Sequence, residues 1–233
     1  MSKLFFNAGS KMCFCMAAAV LSAPLLFSAC SNPQSGGTFT DSRDGQTYRT
    51  VRIGNLTWMA QNLNFKTGNS WCYDDDLSNC AKYGRLYDWE TALTACPSGW
   101  RLPDNKDWND LTKNAGGYWE TALTACLSGW RLPDNKDWND STKSAGGYVA
   151  GRKLKASSPD WNGTDKFGFS ALPGGYRNTN GSFYDAGSYG SWWSATEFES
   201  GKAWYRDMAS NYDFVREDNS GEEGSGFSAL CVR

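Results

Sequence analysis

The sequence predicts an α+β domain in which two helices pack on short, irregular antiparallel strands. The middle of the chain carries apolar residues at helical spacing, between residues that cap helices. From residue 167 onward, the chain is rich in glycine and aromatic residues, with short alternating segments typical of strands. Without its N-terminal leader, roughly 200 of the 233 residues remain, which is enough for one domain with its own core.

The leader, residues 1–29, resembles a bacterial lipoprotein signal peptide. Its apolar stretch, residues 16–27, is shorter than the roughly 20 residues of a membrane-spanning helix. Residues 27–30 (FSAC) are similar to a lipobox, in which the cysteine receives diacylglycerol. We therefore expect the acyl chains of Cys30 to anchor the protein to a bilayer of the cell envelope, at the outer membrane or the cell surface. A plain secretory signal cut near Ala29 is the alternative.

The rest of the chain is predicted to be a flexible tether, residues 30–37, followed by one domain, residues 38–233. The formal net charge of -2, without a basic stripe, argues against a nucleic-acid partner. The chain contains no histidine, which excludes Ser-His-Asp and Cys-His catalysis and removes the commonest nitrogen ligand of zinc. Acid–base chemistry would therefore fall to carboxylates, lysine or tyrosine.

The domain is predicted to begin with a β-hairpin. Thr47–Ile53 has a strand pattern, and Gly54-Asn55 suits a two-residue turn of type II′. Residues 56–60 alternate and return as the second strand. The polar residues 69–83 that follow are predicted to be a loop.

A unit of thirty residues occurs twice, as residues 89–118 and 119–148. The copies differ at Pro97/Leu127, Leu111/Ser141 and Asn114/Ser144. Each copy is predicted to form a helix, a link and a second helix. Two copies are too few for a solenoid, which needs about three, so they indicate a local duplication within one domain.

In the first copy, Asp88 is predicted to cap the first helix, and Cys96 lies on the buried face of that helix. The second helix is predicted to begin near Pro103-Asp104, with an inner face formed by Trp108, Leu111 and Ala115.

The first repeat copy is better suited than the second to pack in the hydrophobic core. Burial of the Leu111 side chain stabilises the folded chain by roughly 1.5–3 kcal/mol. Burial of its counterpart Ser141 would instead destabilise it, because a hydroxyl without a hydrogen-bond partner would lie in the core. We therefore predict that the first copy packs in the core and the second bulges outward. A hybrid, with one helix from each copy, is the alternative.

Five cysteines follow Cys30, an odd number for an exported protein, and removing either copy of the repeat restores an even number. Cys72 and Cys80 are predicted to pair and close a small loop. Cys231 is then left to pair with one of the two repeat cysteines, Cys96 or Cys126. Loop entropy differs by only ~0.2 kcal/mol between these two choices, so it does not decide. A Cys96–Cys126 bond with a free Cys231 is a third alternative.

The C-terminal part is predicted to be β-structure linked by polar turns. The predicted strands are residues 191–195, 203–208, 212–215 and 226–232. The acidic residues 217–218 and 222–223 are predicted to lie in solvated loops.

Several segments together resemble the Fibrobacter succinogenes major paralogous domain. These are residues 38–65, 96–103 (CPSGWRLP), 165–177 (DKFGFSALPGGYR), 191–196 (SWWSAT) and 231–233. The resemblance implies a surface or secreted bacterial lipoprotein with no established activity; the duplication departs from the family pattern.

Residues 89–102 (WETALTACPSGWRL) also resemble the first helix of C-type-lectin-like folds, which include the formylglycine-generating group. That wider resemblance implies a single lectin-like domain and a bond between Cys96 and Cys231. It also implies cysteines in an active site, which a structural bond at Cys231 would put in doubt.

Two candidate sites follow from the residues. Asp74, Asp75 and Asp76 are a weak candidate for calcium, the one cofactor considered, and a solvated acidic loop is the favoured interpretation. The other candidate is an aromatic platform for a glycan. Its predicted members are Tyr189, Trp192, Trp193, Trp204 and Tyr205, where alternation in a strand leaves one of Trp192 and Trp193 exposed.

The leading functional hypothesis is a binding or surface-display module of the bacterial envelope, with polysaccharide or cell-wall glycan as its ligand. One alternative is an enzyme related to the formylglycine-generating group. The other is a structural surface module without a ligand.

Overall fold

The structure is a computed structural model that describes residues 36–115 and 149–233. The signal peptide with Cys30, and the second repeat copy with Cys126, lie outside the described residues. The described chain has a mixed α+β architecture with few helices and three β-sheets of three, six and two strands. No helix within these two ranges has the length and apolar character needed to cross a lipid bilayer.

The three-stranded sheet contains the predicted hairpin. Its strands are β1 (Gly37–Thr40), β2 (Thr47–Ile53) and β3 (Leu56–Met59), paired antiparallel in that order. The turn between β2 and β3 has two residues, and Gly54 adopts φ +62°, which a residue without a Cβ adopts readily. The predicted hairpin is therefore confirmed.

The prediction of a loop over residues 69–83 was wrong. The segment forms strand β4 (Ser70–Trp71), a 3₁₀ turn (Tyr73–Asp75) and helix α1 (Leu77–Tyr83). The Asp76 carboxylate accepts a hydrogen bond from the Ser78 backbone N–H at 2.8 Å, so it caps α1. A polar composition was mistaken for a loop because the capping carboxylate of a short helix is itself polar. The predicted Cys72–Cys80 disulfide is present.

The two helices of the first repeat copy are confirmed. Strand β5 (Leu86–Tyr87) leads into α2 (Trp89–Ala95), where the Asp88 side chain accepts from the Thr91 N–H at 2.9 Å. Helix α3 (Asn105–Asn114) begins at a capping box, in which the side chains of Asp104 and Asp107 each accept from the other residue's backbone N–H.

Helix α3 turns its predicted face inward, with Trp108, Leu111 and Ala115 all buried. Both helices come from the first copy, as predicted, and not from a hybrid of the two copies. Cys96, at the end of α2, forms a disulfide with Cys231. The bond that the lectin-like resemblance implied is therefore present.

The described chain resumes at helix α4 (Ala150–Leu154), next to the end of α3. The ammonium group of Lys153 donates to the carbonyl of Ala115 at 3.1 Å. The elements on either side of residues 116–148 therefore contact each other directly, so the described fold does not depend on a long connection between them.

The six-stranded sheet carries the C-terminal part, in the order β10-β9-β8-β11-β5-β4. Its long strands are β8 (Tyr189–Glu199) and β9 (Lys202–Ala209), and its two edge strands are β10 (Arg216–Glu222) and β4. Strand β11 (Phe227–Ser228) pairs parallel with β8. A separate two-stranded sheet consists of β6 (Tyr176–Arg177) and β7 (Phe183–Tyr184).

Three C-terminal predictions need correction. Residues 212–215 do not form a strand and instead connect β9 to β10. In this connection the rings of Tyr212 and Phe214 stack on each other at a centroid distance of 4.3 Å. The predicted strand over residues 226–232 is limited to β11, and Val232 makes isolated bridges to two other segments. The acidic residues 217–218 and Glu222 lie within β10 and not in loops, and the Glu217 carboxylate pairs with the buried Arg206 at 3.2 Å.

Candidate ligand-binding site

The predicted exposure of one β8 tryptophan was wrong, because the side chains of Trp192 and Trp193 are both 0 % exposed. Alternation does direct them to opposite faces of the sheet, but both faces are covered. The indole N–H of Trp192 donates to the Asn62 side chain, and that of Trp193 donates to the Tyr87 carbonyl, each at 2.8 Å. Both tryptophans therefore belong to the core.

The other predicted platform residues separate into two places. Tyr189 and Tyr205 are half-buried and line one cavity. Trp204 contacts Phe198 at a ring distance of 5.4 Å and is not part of that lining. Because neighbours in a strand alternate, Trp204 lies on the opposite face of the sheet from Tyr205.

The cavity has a volume of about 330 Å³, which is at the small end of the range for small-molecule sites. Strands β6, β8, β9, β10 and β11 each contribute to it, so its shape depends on pairing within the sheets. It is lined by Tyr176, Asp185, Tyr189, Ser191, Tyr205, Arg216 and Phe227.

Four of the seven residues that line the cavity are aromatic. The Phe227 ring lies 4.8 Å from the Tyr205 ring and 6.2 Å from the Tyr176 ring, between centroids. The buried Trp193 ring packs 4.2 Å from Phe227, on a side that solvent does not reach. Trp193 therefore supports the wall from beneath without contacting a ligand.

A network of charged and phenolic groups lies beside these rings. The buried Asp207 carboxylate accepts from the Arg216 guanidinium at 2.6 Å and also from the Tyr212 hydroxyl. Arg216 donates to the Tyr189 hydroxyl oxygen at 2.5 Å, and it lies 3.6 Å from the Asp218 carboxylate. The network holds Tyr189 and Arg216 in place before any ligand arrives.

Burial and the ion pair have opposite effects on the pKa values of Asp207 and Arg216. Burial raises the pKa of the Asp207 carboxyl, and the hydrogen bonds from Tyr212 and Arg216 offset only part of that rise. Burial alone would lower the pKa of the Arg216 guanidinium, but the bond to Asp207 raises it overall. At 2.6 Å from a guanidinium we assign Asp207 as ionised, since the contact is a charge-assisted hydrogen bond.

Asp185 supplies a carboxylate at the cavity edge. Its side chain is exposed and makes no hydrogen bond within the described ranges, whereas its backbone carbonyl accepts from the Tyr189 N–H at 3.0 Å. Asp185 adopts φ +65°, in the left-handed region, where Asp and Asn are the commonest residues after glycine. The carboxylate is thus held at the edge and is open to a ligand.

The tyrosines of the cavity are neutral phenols at physiological pH. Burial, reinforced by the charge of Asp218, raises the pKa of Tyr205 to about 12. Burial also raises the pKa values of Tyr176 and Tyr189. Since a general base must lose its proton near the working pH, these hydroxyls are suited to binding and not to proton abstraction.

The raised tyrosine pKa values predict a loss of stability in alkali. Tyr48 and Tyr205 have pKa values of about 12 in the folded chain, against an ordinary value of 10.0. The stability that comes from keeping these phenols neutral is complete below pH 10 and disappears as the pH rises through 12. Free energies of unfolding measured between these limits should fall, and the Tyr48→Phe and Tyr205→Phe variants should each show a shallower fall. Tyrosines that titrate near pH 10 in the folded protein would contradict this expectation.

The other candidate chemistry has less structural support. Asp74, Asp75 and Asp76 do not form a group that could hold a metal ion, and no group of three such side chains occurs elsewhere in residues 36–115 and 149–233. Asp76 instead caps α1. The four cysteines of the described ranges all form disulfides, so none of them presents the thiol that chemistry of the formylglycine-generating kind would use.

Sequence reasoning missed five residues of the cavity: Tyr176, Asp185, Ser191, Arg216 and Phe227. The Phe227 side chain is buried, and its ring also borders the cavity. No sequence pattern indicated a role for Arg216, because its role depends on the strand register that places it opposite Asp207. The sequence signal that led to this face of the sheet was the aromatic character of Tyr189 and Tyr205.

The fold and the cavity define a disulfide-linked α+β domain with an open aromatic site on one face of its larger sheet. The sequence matches the family model of the Fibrobacter succinogenes major domain over residues 51–233. The chain therefore belongs to this family, as the resemblance of its segments predicted. No curated protein and no solved structure matches the sequence.

Proposed function

We propose that the chain is a glycan-binding module of the bacterial envelope and that the cavity on the larger sheet is its binding site. The observation that carries the proposal is the set of four aromatic rings around a preformed, open cavity of about 330 Å³. Binding sites of this kind combine apolar aromatic walls with a few polar groups that orient the ligand. Here those polar groups are Ser191, Asp185 and Arg216.

The cavity suits binding better than catalysis. Its hydroxyls are neutral phenols, and its buried carboxylate is already occupied by Arg216 and Tyr212. The position of Arg216 and Tyr189 is set by hydrogen bonds within the protein, which lowers the entropy that a ligand must lose to order the site. A rigid aromatic site recognises shape and does not require reactive groups.

The test is a glycan array probed with the purified chain and with two substitutions of adjacent residues. Tyr205→Ala removes a ring from the cavity wall, and we expect it to weaken binding at least about tenfold. Trp204→Ala removes a ring of similar exposure from the opposite face of the sheet, and it should leave binding unchanged. Trp193→Ala is not a suitable test, because that ring is buried and its loss would also destabilise the fold.

The outcomes of the array separate the functional classes. Glycan binding that depends on Tyr205 and not on Trp204 supports the proposal. Absence of binding to every glycan would remove it and leave a structural surface module. Binding that survives Tyr205→Ala would move the site elsewhere on the domain.

We further propose that the domain is lectin-like and lipid-anchored. The bond between Cys96, after the first repeat helix, and Cys231, near the C-terminus, supports the lectin-like part. The lipobox-like residues 27–30 support an anchor at Cys30, in the outer membrane or at the cell surface. Mass spectrometry of the mature N-terminus tests the anchor, since an unmodified N-terminus near Ala29 would contradict it.

A further inference from the structure

We propose that the glycan bound in the cavity carries a free, positively charged amino group, as an amino sugar that is not acetylated. This inference rests on the proposed glycan-binding function and names the chemistry that the same site selects. Two independent features of the cavity support it: an excess of negative charge around Arg216 and a lining that contains four aromatic residues.

The charge around the cavity is negative. Arg216 is the one cation in the lining, and it contacts two carboxylates, Asp207 at 2.6 Å and Asp218 at 3.6 Å. Asp185 adds a third carboxylate at the edge. The lining alone, with Arg216 and Asp185, is formally neutral. Together with Asp207 and Asp218, which contact Arg216 from outside the lining, these four groups carry two excess negative charges, so the potential near Arg216 favours cations over anions.

Arg216 is poorly suited to an anionic sugar. Its Nε atom donates to Asp207, and its Nη2 atom donates to the Tyr189 hydroxyl, which uses two of its five N–H donors. A carboxylate or sulfate that approached the remaining donors would face the charges of Asp185 and Asp218. The same ion pair lets a cation approach, because the guanidinium charge is already compensated.

The aromatic wall adds an attraction that is specific to cations. The faces of Tyr and Phe rings carry negative electrostatic potential, and a cation near a ring centroid gains about 0.5–1 kcal/mol at an exposed site, which is a two- to fivefold gain in affinity. Tyr205, Phe227 and Tyr176 pack against one another in the lining, so a bound group can contact more than one ring. Asp185 adds an exposed carboxylate to the same lining, without a hydrogen-bond partner in the described ranges.

The experiment compares two β-1,4-linked oligosaccharides that differ only in acetylation: a glucosamine oligomer and its N-acetylglucosamine counterpart. Binding of each to the purified chain is measured by titration calorimetry at mildly acidic pH. We expect the free-amine oligomer to bind at least about fivefold more tightly, and its affinity to fall as salt is added. Tetramethylammonium is titrated in parallel as a cation without a sugar.

Asp185→Asn is the informative variant, because asparagine tolerates the left-handed backbone of this position and removes only the charge. It should weaken binding of the free-amine oligomer more than binding of the acetylated oligomer, so that the preference for the free amine is lost. Asp160→Asn is the matched control, since Asp160 is also exposed but lies outside the cavity lining.

The possible results discriminate between this inference and the function on which it rests. If the acetylated oligomer binds as tightly as the free-amine oligomer or more tightly, the amino-sugar inference is overturned. If Tyr205→Ala abolishes that binding, the glycan-binding site itself still stands. Binding of tetramethylammonium without either oligosaccharide would overturn it in favour of a cation site for another ligand. Binding of neither oligomer would overturn the inference, and only a glycan array without any binding would also remove the proposed function.

Discussion

Replacing Trp108 with alanine should lower the free energy of unfolding by about 3–5 kcal/mol. The Trp108 side chain is 0 % exposed, its ring lies 5.2 Å from that of Trp58, and its indole N–H donates to the Trp193 carbonyl at 3.3 Å. The substitution leaves a large cavity between α3 and the sheets. Chemical denaturation followed by far-ultraviolet circular dichroism measures the loss without relying on tryptophan fluorescence.

The repeat supplies the control, since Trp138 is the counterpart of Trp108 in the second copy. If the first copy occupies the core, Trp138→Ala should change the free energy of unfolding by no more than about 0.5 kcal/mol. A chain lacking residues 119–148 should unfold like the wild type, because α3 and α4 already contact each other through Lys153. Equal losses for Trp108→Ala and Trp138→Ala would show that the two copies exchange places.

The second large effect concerns the disulfide between Cys96 and Cys231. Its loop spans 135 residues, and loss of such a bond costs roughly 2–5 kcal/mol because the unfolded chain regains conformational freedom. We expect Cys96→Ser combined with Cys126→Ser to lose stability in this range. The double substitution is needed because Cys126 could otherwise replace Cys96 as the partner of Cys231. Thermal or denaturant unfolding under non-reducing conditions measures the loss.

Cys126→Ser alone is the matched control, and it should leave the free energy of unfolding unchanged. Non-reducing peptide mapping of the wild type should recover a peptide pair that joins Cys96 to Cys231. Recovery of a pair that joins Cys126 to Cys231 would instead place the second copy in the core.

The candidate site could be predicted only in part from the sequence. The aromatic residues of β8 and β9 led to the prediction of Tyr189 and Tyr205, which line the cavity, whereas alternation suggested an exposed tryptophan that the structure buries. Alternation states which side chains share a face, not whether that face is covered. The cover comes from distant residues, such as Asn62 over Trp192 and Phe227 over Trp193.

Structural features that depend on residues close in sequence could be predicted from the sequence alone. The capping residues Asp88 and Asp104, the turn at Gly54-Asn55 and the inward face of Trp108 depend on neighbours within a few positions, so their patterns survive in the linear chain. The preference for Leu111 over Ser141 likewise follows from residue type alone.

The cavity depended on contacts between residues far apart in sequence. Its ion pair arises because the register of β9 and β10 places Arg216 opposite Asp207, and its wall forms because β11 inserts beside β8 and brings Phe227 to Tyr205. Strand order and register are set by the packing of the whole chain, since a shift of one residue would move each of these side chains to the other face.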